Sequence, residues 1–203
     1  MHHPGEGLCP PSASTSRTGN GGERRAASRL TPASPSYRSC PLRALPPVEV
    51  PVLSPVSALD LRALLSHPCS TEDAIAPLPV LAMLADLAER IEPLFTPAAW
   101  QVVDAGRPVG LFSLTRPPEQ GVLDIGYGIA PAHQGRGLAG RALAELVTWA
   151  RHDARVRCLS AETAVGNAAS QAVLHRNGFA VIGQRIDAED GALLFWRLQV
   201  AAD

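Results

Sequence analysis

Residues 126–147, GYGIAPAHQGRGLAGRALAELV, decide how this chain folds. The stretch passes from a strand through a short loop to glycines and then into a helix. Gly135 and Gly137 carry no side chain, so the backbone there can approach a ligand closely. The first turn of the following helix leaves amide N–H groups without intrahelical partners, and the helix dipole adds partial positive charge at the same place. A phosphate or pyrophosphate answers both needs, and Arg136 can add a charged contact. Taken alone, GRG before a helix also reads as an ordinary turn. The common nucleotide motifs do not fit. The dinucleotide fingerprint G-x-G-x-x-G belongs after the first strand of a βαβ unit and is matched by an acidic residue after the next strand. Here the loop follows the fourth strand, with no acidic residue placed to hold a ribose. A P-loop requires a lysine, and the 18 basic residues of this chain are all arginine.

Upstream, the ordered chain begins with VEVPVL, residues 48–53, read as a short strand. SALDLRALLSHP places Ser57 as a cap before apolar residues at helical spacing and stops before Pro68. LPVLAMLADLAERIEPLF is a second amphipathic helix with Leu81, Leu84, Leu87 and Ile91 on one face. AAWQVVDAGRPVGLFSLT is a hairpin around Asp104-Ala105-Gly106. GVLDIGYGIA is the strand that enters the glycine loop. Downstream, VRCLSAET reads as a strand and NAASQAVLHRNG as a helix, capped by Asn167 and closed by Gly178. FAVIGQRI and GALLFWRLQV form a closing hairpin. The order of strand, two helices, three strands, helix, strand, helix and two strands specifies an α/β (α+β) layer with a mixed sheet.

Residues 1–45 differ in kind. They are rich in Pro, Ser, Gly and Arg with almost no periodic apolar residues, and such a segment cannot bury enough surface to offset its ordering entropy. The expectation is a disordered tail, either a basic docking arm or upstream sequence from a start set too early, followed by one domain over 46–203. A formal net charge of -1 gives no basic field for nucleic acid or an anionic membrane. No apolar run approaches the ~20 residues that a spanning helix needs. Cys9, Cys40, Cys69 and Cys158 lack metal-ligand or framework spacing, so no metal site is expected and a reducing, cytoplasmic setting is.

At this point the residues acquire a family likeness. Gln134, Gly137 and Ala139 match the Q/R-x-x-G-x-G/A signature of the GNAT superfamily of N-acetyltransferases. Asn167, Ser170, Leu174, Gly178 and Phe179 fit N-x-x-S-x-x-x-L-x-x-x-G-F, the pattern of its ribosomal-protein N-terminal acetyltransferase (Rim-type) branch. GLFSL and DIGYGI also resemble that branch. The likeness runs from Val48 to Val200 with its motifs in order. It implies a mostly antiparallel central sheet, flanked by helices and splayed at the site of acetyl-coenzyme A. The strand before the glycine loop would bond the pantetheine arm through its backbone, at Gly128, Ile129 and Ala130, with Gly126 and Gly128 suited to a bulge or close backbone approach. Gln134, Gly135, Arg136, Gly137, Leu138 and Ala139 would hold the pyrophosphate, and Asn167 would reach the cofactor or serve as a plain helix cap.

The resemblance further implies direct attack of a neutral amine on the thioester, without an acyl-enzyme. That chemistry needs a base for the amine and a proton for the departing thiolate. Many relatives supply the proton from a tyrosine where this chain has Leu174. Ser170, one helical turn earlier, is the substitute candidate. Asp124 and Glu162 are the candidate bases, each also readable as an arginine-paired or solvent-facing carboxylate. The implied acceptor is a small-molecule amine or a protein N-terminus, and the candidate assembly is a homodimer. The alternative is a GNAT-like module that binds acyl-CoA as a sensor with weak or lost catalysis.

Overall fold

The structure, a computed structural model, describes residues 52–66, 74–189 and 191–200. The expected tail 1–45 and the opening of the first strand lie outside them. The elements follow the expected order: β1 Leu53–Val56, α1 Ala58–Ser66, α2 Leu78–Ile91, β2 Ala99–Asp104, β3 Arg107–Leu114, β4 Val122–Ile129, a single 3-10 turn Pro131–His133, α3 Leu138–His152, β5 Cys158–Ala164, α4 Ala168–Arg176, β6 Ala180–Asp187 and β7 Gly191–Gln199. Seven strands form one sheet in the order β1-β2-β3-β4-β5-β7-β6. Every pairing is antiparallel except β4 with β5.

Two boundaries differ from the sequence reading. The described part of β1 is Leu53–Val56, which ends three residues beyond the expected strand and contains Pro55. An edge strand accepts a proline because one row of its N–H groups has no ladder to join. Helix α2 stops at Ile91 rather than Phe95, because Pro93 cannot donate into a continued helix. The cap at Ser57 forms as expected and is reciprocal: Asp60 N–H donates to Ser57 Oγ at 3.2 Å, and Ser57 N–H donates to Asp60 Oδ2 at 2.8 Å. The β2–β3 turn places Ala105 at φ 49° and Gly106 at φ 76°, the left-handed pair of a tight hairpin.

Alternate residues of β3 divide the two layers. Phe112 lies on the α3 face, above its cross-strand neighbour Trp100, whose indole packs edge-on against Trp149 of α3 with centroids 5.1 Å apart. Leu111 and Ser113 point the other way, toward Val80 and Leu84 of α2. Helix α3 buries Leu138, Ala142, Leu143, Leu146, Val147 and Ala150, a stripe at helical spacing. Its Glu145 carboxylate accepts the backbone N–H groups of Val52 at 3.0 Å and Leu53 at 2.9 Å, so α3 also fixes the entry of the edge strand.

Neither Gly126 nor Gly128 forms the bulge that the sequence allows, and a Cβ on Gly126 would fall 3.1 Å from Thr115 Cγ2. The β3–β4 register is regular, and a Cβ on Gly128 would meet nothing within 4 Å. A Cβ on Gly110, opposite Ile129, would fall 2.4 Å from the carbonyl oxygen of Gly128 and 2.6 Å from Ile129 Cδ1. Only glycine lets β3 lie flat against the end of β4. Gly110→Ala should therefore destabilise the domain by about 2 kcal/mol, as overpacking does, while Gly128→Ala should leave stability within about 0.5 kcal/mol. Urea midpoints of the two variants check this.

Candidate functional site

Strands β4 and β5 pair in parallel for four residues, Val122–Ile125 with Cys158–Ala161, and then part. Each is still held on its outer side. Strand β4 pairs with β3 as far as Ile129, and β5 pairs with β7 as far as Ala164. Trp196 Nε1 donates to the buried Thr163 Oγ1 at 2.9 Å and secures that second pairing. Thr115 N–H donates to Asp124 O at 2.8 Å, and Ala130 N–H donates to Val109 O at 2.8 Å, so the even-numbered backbone groups of β4 face β3. By the alternation of a pleated strand, the backbone groups of Tyr127 and Ile129 face the opening left by β5. Gln134 Nε2 donates to the Ile129 carbonyl at 2.8 Å. The remaining edge is a short row of backbone donors and acceptors, which an extended amide-bearing ligand can satisfy as an added strand would.

The glycine loop follows directly. Gly135 and Gly137 stand at φ 72° and 73°, in the left-handed region that other residues rarely adopt. Gly137 is the N-cap of α3 and supplies no side-chain cap; the first bond back to it is Arg141 N–H to Gly137 O at 3.1 Å. The amides of Leu138, Ala139 and Gly140 therefore open the helix without a protein cap, the arrangement that attracts an anion. Arg136 does not extend this cradle. Its Nη1 lies 2.8 Å from Asp104 Oδ2 at the β2–β3 hairpin and 3.2 Å from His133 Nδ1, which ties the loop to the hairpin.

On the far side of the opening, Asn167 Oδ1 accepts the Ser170 N–H at 3.0 Å, so Asn167 is a helix cap. Leu174 is fully buried. Tyr127, which the sequence reading did not single out, reaches across from β4: its O–H donates to the Ser170 carbonyl at 3.1 Å. Its ring stacks on Phe112 at 4.8 Å. Burial pushes the phenol above its ordinary range, outweighing the Ser170 contact, so the group stays a neutral donor. Tyr127 thus bridges the strand and the helix that flank the opening. The one signal in the sequence was an aromatic between two glycines.

Asp124 and Glu162 line one cavity of about 300 Å3, together with Thr115, Arg116 and Gly126. Both carboxylates are arginine-paired. Asp124 Oδ2 accepts Arg116 Nε at 2.6 Å, and its Oδ1 accepts the Ser160 hydroxyl. Glu162 is more exposed, 43% against 18% for Asp124, and its Oε2 lies 3.0 Å from Arg185 Nη2. Cys158 is buried, and burial pushes its thiol upward, as befits a packing residue.

Residues 52–180 match the family profile of the acetyltransferase (GNAT) domain. No curated protein matches the sequence. Among solved structures, RimL, a ribosomal L7/L12 alpha-N-protein acetyltransferase in complex with coenzyme A, superposes with a TM-score of 0.59 at 18% identity, covering 74% of this chain and 94% of its own. yncA from Salmonella typhimurium, with its cofactor acetyl-CoA, gives 0.55 at 23% identity over 74% and 94%. A spermidine N-acetyltransferase SpeG chimera from Vibrio cholerae and hSSAT gives 0.54 at 18% over 73% and 95%. At these identities the likeness is one of fold.

Gly137→Val tests the cradle, because a β-branched residue at this φ strains the turn that presents the helix amides. A ligand that binds only the folded state stabilises it by about 2.7 kcal/mol at roughly a hundredfold excess over Kd. Acetyl-CoA should raise the melting temperature of the wild type accordingly and leave that of Gly137→Val unmoved. Equal shifts would contradict the assignment.

Proposed function

The chain belongs to the acetyltransferase (GNAT) family, and we propose that it transfers the acetyl group of acetyl-coenzyme A to a primary amine. One observation carries this reading: the open backbone edge of β4 at Tyr127 and Ile129 runs directly into the uncapped start of α3. The first suits the amides of a pantetheine arm, and the second a pyrophosphate. Neighbours of the same fold hold coenzyme A or acetyl-CoA. When bound, acetyl-CoA supplies an acetyl thioester open to direct attack by an amine. In the balanced reaction the amine nitrogen forms a bond to the acyl carbon, the carbon–sulfur bond breaks, the amine loses one proton and the thiol gains one.

The protein's own groups divide that work. Tyr127 and Ile129 offer the strand edge, whereas the expected backbone groups of Gly128 and Ala130 face β3; Gln134, Gly135, Gly137, Leu138 and Ala139 form the anion cradle. Arg136 orders the loop through Asp104, and Asn167 orders the start of α4. Of the two candidate bases, Glu162 is the better placed. Both oxygens of Asp124 are engaged, by Ser160 and Arg116, whereas Glu162 meets Arg185 through Oε2 and leaves Oε1 for a proton. Asp124 then positions Arg116 within the same cavity. Ser170 Oγ carries the proton that the leaving sulfur requires.

Acetylation of an amine panel, read by mass spectrometry alongside thiol release from acetyl-CoA, tests the activity. The absence of lysine removes ε-amine background on the protein itself. Glu162→Gln should move the rate optimum to higher pH, where more of the amine is already neutral. Ser170→Ala should lower kcat by about 10²-fold or less, since a thiolate is already a good leaving group, with acetyl-CoA binding preserved. Unchanged rates and unchanged pH profiles in both variants would leave positioning alone as the source of catalysis.

A further inference from the structure

Arg185 of β6 lies two strands away from Glu162 of β5, yet the side chains meet, with Arg185 Nη2 3.0 Å from Glu162 Oε2. The sheet order β5-β7-β6 puts β7 between them. Glu162 pairs with Phe195 of β7, and Phe195 with Gly183 of β6, which sets no side chain over the ring. The Arg185 guanidinium crosses β7 there, its Cζ 5.8 Å from the Phe195 centroid. Its Nη1 donates to Asp187 Oδ2, so a second carboxylate fixes the other branch of the same fork. An isolated exposed ion pair contributes little, but here one guanidinium is held by two carboxylates and a ring.

A register shift brings Arg185 to this face of the sheet. Val181 pairs with Trp196 and Gly183 with Phe195, so Ile182 is an extra residue in β6. Strand side chains alternate, and a regular ladder from Val181 would put Arg185 on the face of Trp196. The extra residue turns it to the face of Phe195, where Glu162 lies. Bulges beside functional sites re-aim side chains in this way.

We propose that Arg185 is a positioning residue for Glu162, fixing its carboxylate for the amine's proton. This rests on the reading of Glu162 as the base and goes beyond it. With Oε2 held by Arg185, Oε1 is left to take the proton in the cavity shared with Thr115 and Gly126. Among the described residues, the other charged groups at that cavity are Arg116 and Asp124, and Arg116 Nε is committed to Asp124 Oδ2 at 2.6 Å. Asp187 holds Arg185 from the side away from Glu162 and so belongs to the same support.

The test measures kcat and KM against pH, with one amine acceptor, for the wild type, Glu162→Gln, Arg185→Ala, Arg185→Lys and the Arg185→Ala/Glu162→Gln double variant. Arg185→Ala should lower kcat at neutral pH by roughly 10-fold or more, toward the ~10²-fold that a misplacement of about 1 Å costs. KM for acetyl-CoA should not move. The deficit should close as the pH rises, because the amine then arrives neutral and needs no base. Arg185→Lys keeps a charged donor and should recover part of the loss. In the Glu162→Gln background, Arg185→Ala should change kcat by no more than about 2-fold, since its effect runs through the carboxylate. Wild-type kcat in Arg185→Ala, or a deficit that persists in full without Glu162, would overturn the proposal and leave Glu162 as the base. A Glu162→Gln profile identical to the wild type, or turnover of no amine with acetyl-CoA still bound, would overturn both.

Discussion

When two neighbouring strands of a sheet separate, each is left with a row of backbone donors and acceptors that folding alone does not satisfy. Here β4 and β5 do so after four paired residues, and each is prevented from closing on the other by its outer neighbour. Strand β3 holds β4 through Ile129, which Gly110 permits by offering no Cβ against the Gly128 carbonyl. Strand β7 holds β5 through Ala164. Tyr127 spans the opening to α4, and Gln134 occupies the last carbonyl of β4. The opening is thus built, and its chemistry is that of an absent strand.

What the opening leads to is equally determined. The chain leaves β4, turns through two glycines with positive φ and enters α3 with its first amides uncapped. Arg136 steadies this turn from the side, through Asp104 on a hairpin that is distant in sequence. The open edge at Tyr127 and Ile129 and the uncapped start of α3, separated by the 3-10 turn and the glycine loop, are suited to amides and to an anion respectively. The charged cavity with Asp124 and Glu162 begins where the strands part, so the group to be deprotonated and the thioester would meet at that point.

The parts of this arrangement that are local in the chain were legible in the sequence. Element order, the Ser57 and Asn167 caps, the Ala105-Gly106 turn and the glycine-to-helix transition each depend on residues a few positions apart. The parts that depend on register between distant segments were not. Gly110 matters because it faces Ile129, and Tyr127 because its hydroxyl reaches Ser170. Arg136 reads as a phosphate ligand until the β2–β3 hairpin brings Asp104 beside it. The far end of the first strand is hidden too: LSPV is less apolar than VEVPVL, yet it holds the described residues that pair with β2.

The central claim is that the open edge of β4 and the start of α3 together receive acetyl-CoA. Amide hydrogen–deuterium exchange, read residue by residue by NMR with and without acetyl-CoA, addresses it most directly. The account predicts slowed exchange at Tyr127, Ile129, Leu138, Ala139 and Gly140 on binding, with the amides of β2 that pair β3 unchanged. Binding of acetyl-CoA without protection of those five amides would contradict it.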